Sequence, residues 1–188
     1  DAASNAWQAA GAMLEPRAGA TATLLSDGRV LIAGGENAGA ASLTLELFDP
    51  TSDSFVPAGV MSTPRKDHAA ALLAEDHVLL AGGSDGASAL ASSEVWDAAS
   101  GALLPGPALS LGRSGLSATT LLDGTVLIAG GSSGDVELAS AEIFDPASGT
   151  LTAASSSLAA PRQKHLAIFL PHNSSVLFVG GTAAGVPD

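Results

Sequence analysis

Residues 27–35 read DGRVLIAGG, and residues 123–131 read DGTVLIAGG. Looser copies of this nine-residue stretch occur as EDHVLLAGG at 75–83 and NSSVLFVGG at 173–181. Self-similarity at a fixed period of 20 to 50 residues is typical of repeat architectures. The chain is therefore predicted to consist of repeated units. The glycine doublets that end the copies stand 48, 48 and 50 residues apart and are Gly34-Gly35, Gly82-Gly83, Gly130-Gly131 and Gly180-Gly181.

Two further features keep the same register as the glycine doublets. An arginine recurs in steps of 48, 48 and 49 residues, and a glutamate recurs in steps of 48 within the stretches LELFDP, SEVWDA and AEIFDP. Three residue classes in one register make the repeat certain. The arginines are Arg17, Arg65, Arg113 and Arg162, and the glutamates are Glu46, Glu94 and Glu142.

One repeat can be divided into four strands. Residues 19–25 alternate small or polar with apolar side chains, and residues 29–34 form a short apolar run, as expected for a buried strand. The pair Asp27-Gly28 between them is typical of a tight hairpin turn. Two more strands are predicted at 43–48 and 53–57, with a turn at 49–52 in which the Asp49 carboxylate accepts bonds from following amides.

Four antiparallel strands in about 48 residues are typical of one blade of a β-propeller. A helical solenoid would need apolar residues at a spacing of 3.6, and a β-sandwich would not repeat so evenly. The predicted fold is all-β. The glycine doublet is expected where neighbouring blades approach too closely for a Cβ atom, and the aromatic residues at 48, 96 and 144 are expected to pack between blades.

The repeats predict a single, partial propeller domain over residues 1–188. It has three complete four-stranded blades at about 17–57, 65–105 and 113–153, and a half-blade at 162–181. A lone fourth strand is expected at 5–10, because Trp7 precedes Arg17 by ten residues, as Phe55 precedes Arg65.

This number of blades leaves three interpretations open. The chain is a fragment of a larger propeller, or two copies combine into one ring, or the N-terminal strand joins the half-blade and closes a small four-bladed ring. Unpaired strand edges and an exposed blade face favour association with another chain.

The period, the doublet and the aromatic position together resemble the kelch repeat, in particular the variant found in the propeller of galactose-oxidase-like proteins. The stretches that match it best are PRKDHAAALLAEDHVLLAGG at 64–83 and AEIFDP at 141–146. The resemblance covers essentially the whole chain. It implies a kelch-type β-propeller, which in this family usually closes with six or seven blades.

The resemblance does not extend to the copper radical chemistry of that family. Those oxidases use two tyrosines, one of them cross-linked to a cysteine, and two histidines, whereas this chain contains no Tyr and no Cys. His68 and His165 match the repeat position of the family's Tyr-His pair, but Asp67 and Lys164 precede them. We therefore expect both to be structural residues at a strand edge, with no copper, other metal or cofactor.

Composition excludes further classes of function. The net charge is −12, and four of the seven basic residues are the repeat arginines, so no basic patch remains for nucleic acid. No apolar run approaches the roughly 20 residues that span a bilayer, so membrane insertion is not expected. An acidic, Cys-free chain rich in small residues suits an extracellular or periplasmic location.

The candidate binding surface is the loop face, which we define as the side formed by the loops joining strands four to one and strands two to three. The loops are 57–64 and its equivalents, with 35–42, 83–90 and 131–138. The repeat arginines begin the first strands near this rim and could hold an anionic or sugar ligand. Alternatively, each pairs with a repeat glutamate or with loop carbonyls, and the matched period of arginine and glutamate favours this pairing. The remaining candidates for ligand binding are His68, His165, Glu36, Asp85 and Asp135. The three acidic residues among them do not form the D-x-D-x-D-G pattern of a calcium loop.

Two functions from different classes are consistent with these residues. The first is a non-catalytic propeller that binds a protein or carbohydrate ligand on its loop face, or assembles with itself. The alternative is the propeller portion of a galactose-oxidase-like enzyme whose catalytic residues lie outside this chain. No G-x-S-x-G elbow or other catalytic motif occurs, so the first is the preferred prediction.

Overall fold

The computed structural model of the chain describes residues 6–7, 9–183 and 186–187. Within these residues the protein is all-β, apart from one short 3-10 turn at Ala74–Asp76. The strands form three four-stranded antiparallel sheets and four two-stranded pairs. The all-β prediction is confirmed.

The first sheet, sheet 1, pairs four strands in the order in which they occur along the chain, and a small hairpin links its second and third strands. Gly28 has a φ of 89° and closes the turn between the first two strands, as the Asp-Gly pair predicts. The amide of Thr51 donates to Asp49 over 2.7 Å in the last turn. The strands are β1 (Thr21–Leu24), β2 (Val30–Ala33), β3 (Glu36–Asn37), β4 (Ala40–Ala41), β5 (Thr44–Asp49) and β6 (Ser54–Val60).

Sheet 2 and sheet 3 repeat this topology in the same antiparallel order. In sheet 2 the 3-10 turn replaces the Asp-Gly hairpin. The strands of sheet 2 are β7 (Ala69–Leu72), β8 (His77–Ala81), β9 (Ser93–Asp97) and β10 (Leu103–Pro105). Those of sheet 3 are β11 (Ser117–Thr120), β12 (Val126–Ala129), β15 (Ala141–Asp145) and β16 (Thr150–Ala153), with a small hairpin of β13 (Ser132–Ser133) and β14 (Val136–Glu137).

The fourth unit is a pair of strands, which we call the final hairpin. It consists of β17 (Leu166–Leu170) and β18 (Ser175–Val179), which pair antiparallel. A last small hairpin follows, formed by β19 (Thr182–Ala183) and β20 (Val186–Pro187).

Two predictions about local structure need correction. The loop at 36–42 contains the short β3-β4 hairpin. The strand expected at 5–10 is absent at residues 6, 7, 9 and 10, while residues 5 and 8 lie outside the described part of the chain. The side chain of Trp7 is fully exposed.

Consecutive sheets pack face to face, and the cores lie between them. We call the face that looks toward the preceding unit the front face, and the opposite one the back face. Leu31 and Leu47 on the back face of sheet 1 pack with Val78 and Trp96 on the front face of sheet 2. The back face of sheet 2 packs in the same way against sheet 3, through Leu79, Ala81, Ile128 and Phe144.

The first strands are the strands of neighbouring units that approach one another: β1 lies beside β7, β7 beside β11, and β11 beside β17. Backbone bonds join the units just before these strands. The amide of Asp67 donates to the carbonyl of Gly19, that of Gly115 to Asp67, and that of Lys164 to Gly115, over 2.9, 2.8 and 2.7 Å. The units therefore converge at their first strands, a geometry compatible with a propeller-like fold.

Candidate functional site

Three of the four repeat arginines, Arg17, Arg65 and Arg113, have buried side chains. Both terminal nitrogens of each have acceptors, whereas Nε has no partner among the described residues. Nη1 of Arg113 donates to the carbonyls of Gly130 and Ser140, and Nη2 donates to the Ser140 hydroxyl and to Glu142. Arg65 makes the equivalent four bonds, and the side chains of both arginines have no exposed surface. Arg17 repeats the arrangement around Glu46. Each guanidinium thus ties the second strand of its sheet to the third.

Both oxygens of each repeat glutamate are occupied. Oε2 of Glu94 accepts from Arg65 over 3.2 Å, and Oε1 accepts from the amide of Ser62 over 2.9 Å. Glu142 does the same with Arg113 and the amide of Ser110. The carboxylate therefore anchors the loop that enters each unit. Additional hydrogen bonds of this kind offset part of the cost of burying an ion pair.

These contacts decide between the two interpretations of the repeat arginines, which do not line an open rim. Arg17, Arg65 and Arg113 pair with the repeat glutamates, which is the alternative interpretation of their shared period. In the fourth unit, Nη1 of Arg162 donates to the carbonyl of Gly180 over 3.0 Å. The arginine circle is a set of internal clamps.

The two histidines of the resemblance lie between units. Nε2 of His68 is 2.9 Å from the Thr21 hydroxyl of sheet 1, and Nε2 of His165 is 2.9 Å from the Ser117 hydroxyl of sheet 3. Burial lowers the pKa of His68 to about 3, and the positive charge of Arg65 adds to the effect. Burial likewise lowers the pKa of His165, with a contribution from Arg162. Both rings are neutral at neutral pH.

The predicted acidic residues are dispersed over the loop face. Oδ1 of Asp85 accepts the amides of Ala87 and Ser88, so this carboxylate caps its own turn and its pKa is lowered. Asp135 is exposed in the turn between β13 and β14. Glu36 differs from both, because it forms an ion pair with Lys66.

Glu36 belongs to a group of charged residues where the units converge. We call Glu36, Lys66, Asp67 and Lys164 the convergence cluster. Together with Ala18 and Gly19 they line a recess of about 260 Å³ on the loop face. Nζ of Lys164 lies 3.9 Å from Oδ2 of Asp67. Two cationic and two anionic groups thus share one polar recess between three units.

Sequence reasoning missed three of these four residues as site candidates. Asp67 and Lys164 occupy the repeat position of Gly19 and Gly115, and all four have a positive φ of 50–66°. The sequence held a signal for Asp67 and Lys164, because glycine at the two other equivalent positions indicates that this repeat position has a left-handed backbone. Lys66 had no comparable signal in the sequence.

The convergence cluster is suited to holding a polar ligand. It presents ammonium donors and carboxylate acceptors at once, as hydroxyl-rich or zwitterionic groups require. Among the described residues, no three His, Cys, Asp or Glu side chains are grouped closely enough to hold a metal ion.

In comparisons with known proteins, no family model and no curated protein matches the chain. No helix in the described ranges is long and apolar enough to cross a membrane.

Proposed function

We propose that the chain is part of a kelch-type β-propeller that acts as a non-catalytic binding and assembly module. It assembles through the two open faces of its terminal units and binds a protein or carbohydrate ligand at the convergence cluster. The propeller assignment is supported by the recurrent four-stranded sheets, their face-to-face packing and their convergence at the first strands.

The observation that carries this proposal is the exposure of the back face of the final hairpin. Leu177 is the repeat counterpart of Leu31 and Leu79, which are 1% exposed, yet Leu177 itself is 46% exposed. Leu166, Ile168 and Val179 are also exposed, and the strand register places them on the same face. This is an apolar surface of the kind that elsewhere in the chain packs against a following sheet.

The front face of sheet 1 is its complement. Leu24 is exposed and pairs across the strands with Val30, on the same face as Ile32 and Phe48. The equivalent positions of sheet 2, among them Val78, Leu80 and Trp96, are buried against sheet 1. Because the units repeat, the back face of the final hairpin and the front face of sheet 1 correspond to the two faces that pack together between consecutive sheets. Further blades of a longer chain or a second copy would cover both.

Sedimentation at rising protein concentration tests this assembly. The isolated chain presents both faces and is expected to associate head to tail above the monomer mass. Leu24→Lys blocks the front face and Leu166→Lys blocks the back face, so each variant alone is expected to remain monomeric. Mixing the two is expected to restore a dimer, because one variant keeps an intact back face and the other an intact front face.

Leu104→Lys is the matched control, since Leu104 is 58% exposed on the outer strand β10 and Leu166 is 59% exposed. This variant should associate like the unmodified chain. A chain that stays monomeric at high concentration, or a mixture that does not dimerise, contradicts the proposal.

In the described part of the chain, the two histidines of the resemblance do not favour the oxidase alternative. His68 and His165 are buried and directed at hydroxyl groups of neighbouring units, as structural residues of the repeat would be.

A further inference from the structure

A second recess, larger than the one at the convergence cluster, lies between sheets 2 and 3 at the opposite end of the strands. Its volume is about 440 Å³. The floor is apolar and consists of Leu73, Val95 and Phe144, while the rim carries three carboxylates. The rim residues are Glu75, Asp123 and Asp145. We call this space the intersheet recess.

The intersheet recess exists because smaller residues occupy its walls than at the equivalent place between sheets 1 and 2. There, the indole of Trp96 fills the space and donates from Nε1 to the Ala58 carbonyl over 2.9 Å. Forty-eight residues later the equivalent side chain is Phe144, and Val95 stands where sheet 1 has Leu47.

The rim is open because a hydrogen bond between the sheets is also missing there. At the first boundary, between sheets 1 and 2, Asp76 of sheet 2 closes the gap by accepting hydrogen bonds from the amide and hydroxyl of Ser26. At the second boundary the equivalents are Gly124 and Ala74, which have no side chain able to make this bond. The boundary between sheets 2 and 3 thus has both smaller side chains on the floor and no side-chain hydrogen bond across the rim.

The charges on the rim are fixed by local hydrogen bonds. Oδ1 of Asp123 accepts from the hydroxyl and the amide of Thr125, and these bonds lower its pKa. The hydroxyl of Ser148 and the amide of Ala147 lower the pKa of Asp145, and the negative charge of Asp123 acts in the opposite direction. Both carboxylates are ionised at neutral pH and repel each other across the mouth.

His77 adds a further polar group to the wall. Its Nδ1 lies 3.1 Å from the Ala74 carbonyl, and because a carbonyl only accepts, Nδ1 is the donor in this bond. The rim carboxylates present acceptors and negative charge above an apolar floor.

We infer that the intersheet recess binds a small organic cation with an aromatic or branched apolar body, such as an arylalkyl ammonium ion. The body lies on Leu73, Val95 and Phe144, and the ammonium group lies among the rim carboxylates. Apolar burial supplies affinity, and charge complementarity selects a cation over a neutral or anionic analogue. This inference concerns a different surface from the loop face and does not depend on assembly.

Backbone amide NMR during titration with 2-phenylethylammonium tests the inference. Saturable shifts are expected at Gly124 and at its neighbours in the turn. 2-Phenylethanol and 3-phenylpropionate have bodies of matched size with no charge and with negative charge. The alcohol is expected to bind about tenfold more weakly than the cation, as removal of one charge interaction near a protein surface predicts. The carboxylate is not expected to bind.

Two variants separate the floor from the rim. Val95→Leu with Phe144→Trp rebuilds the filled boundary between sheets 1 and 2 and is expected to abolish binding. Asp123→Asn keeps the oxygen that accepts from Thr125 but removes the charge, and is expected to weaken cation binding several-fold without changing the affinity of the alcohol. Asp27→Asn is the matched control, because Asp27 holds the repeat position of Asp123 in sheet 1 and does not line the intersheet recess, so it should leave binding unchanged.

Thermal unfolding establishes that the floor variant is folded. Three results would overturn the inference: no saturable shift at the recess, equal affinity for cation and alcohol, or undiminished binding in the folded floor variant.

Discussion

The carbonyl oxygen of Arg113 lies 2.6 Å from the position that a β carbon on Gly82 would occupy. Gly82 ends the second strand of sheet 2, whereas Arg113 begins the next unit. The same relationship joins Gly130 to Arg162, at 2.7 Å. In the first three doublets the first glycine is thus required because the next unit crosses directly over it.

A pair of alanine substitutions separates this crossing from backbone conformation. Gly82 and Gly180 have φ values of 65° and 64°, but a β carbon on Gly180 would meet nothing within 4 Å among the described residues. Gly180→Ala is expected to cost about 1–2 kcal/mol from its left-handed backbone alone. Gly82→Ala is expected to cost about 1–3 kcal/mol more from overpacking. Urea unfolding measures both, and equal losses would contradict the crossing as the cause.

Removal of a buried arginine should be among the most destabilising changes in the chain. Arg113→Ala leaves the Glu142 carboxylate buried without its cation and the Gly130 carbonyl without its side-chain donor. The expected loss in free energy of unfolding is about 3–5 kcal/mol. Arg29→Ala is the control, since its ion pair with Asp27 lies on the surface and should contribute little. Similar unfolding midpoints for the two variants would rule out a structural role for the clamp.

The buried histidine predicts a loss of stability in mild acid. The pKa of His68 is about 3 in the folded chain, against an ordinary value near 6.5, so the unfolded chain binds the proton first as the pH falls. The stabilising effect of the neutral ring is complete above pH 6.5 and decreases from there toward pH 3. Between pH 6.5 and pH 5 the free energy of unfolding should fall by about 2 kcal/mol from this group.

The boundary between sheets 2 and 3 suggests a variant that removes this dependence. Leu116 and Ala69 occupy the places of His68 and Thr21 one unit later. His68→Leu combined with Thr21→Ala should therefore preserve packing and flatten the pH profile. His172→Gln, at an exposed site, is the control and should retain the profile of the unmodified chain. Parallel profiles for all three proteins would disprove the assignment.

Trp96 provides a test of how the boundary between sheets 1 and 2 is filled. Trp96→Phe removes the donor to the Ala58 carbonyl and leaves unfilled volume where the indole lay. The expected loss is about 2–4 kcal/mol, from the cavity and the unpaired carbonyl together. Calorimetric unfolding measures this loss. An unchanged unfolding temperature would mean that the neighbouring sheets close the gap.

Much of the fold could be predicted from local sequence. The turn at Asp27-Gly28, the apolar second strand and the carboxylate-capped turn at Asp49 all appear where expected, because each depends on neighbours within a few residues. The pairing of Arg113 with Glu142 was open in the sequence as one of two interpretations. Their common period favoured it, and only the burial of both groups decided it.

The sequence by itself determined the period of about 48 residues, the strand content and the close approach at the glycine doublets. Tertiary structure alone decided which charges meet. Asp67 and Lys164 come together because the first strands converge, and convergence joins residues that are nearly a hundred positions apart. Tertiary structure also produced the intersheet recess, since the volume left between two packed faces depends on both faces at once. Strand patterns are local properties, whereas the space between sheets is a property of the pair.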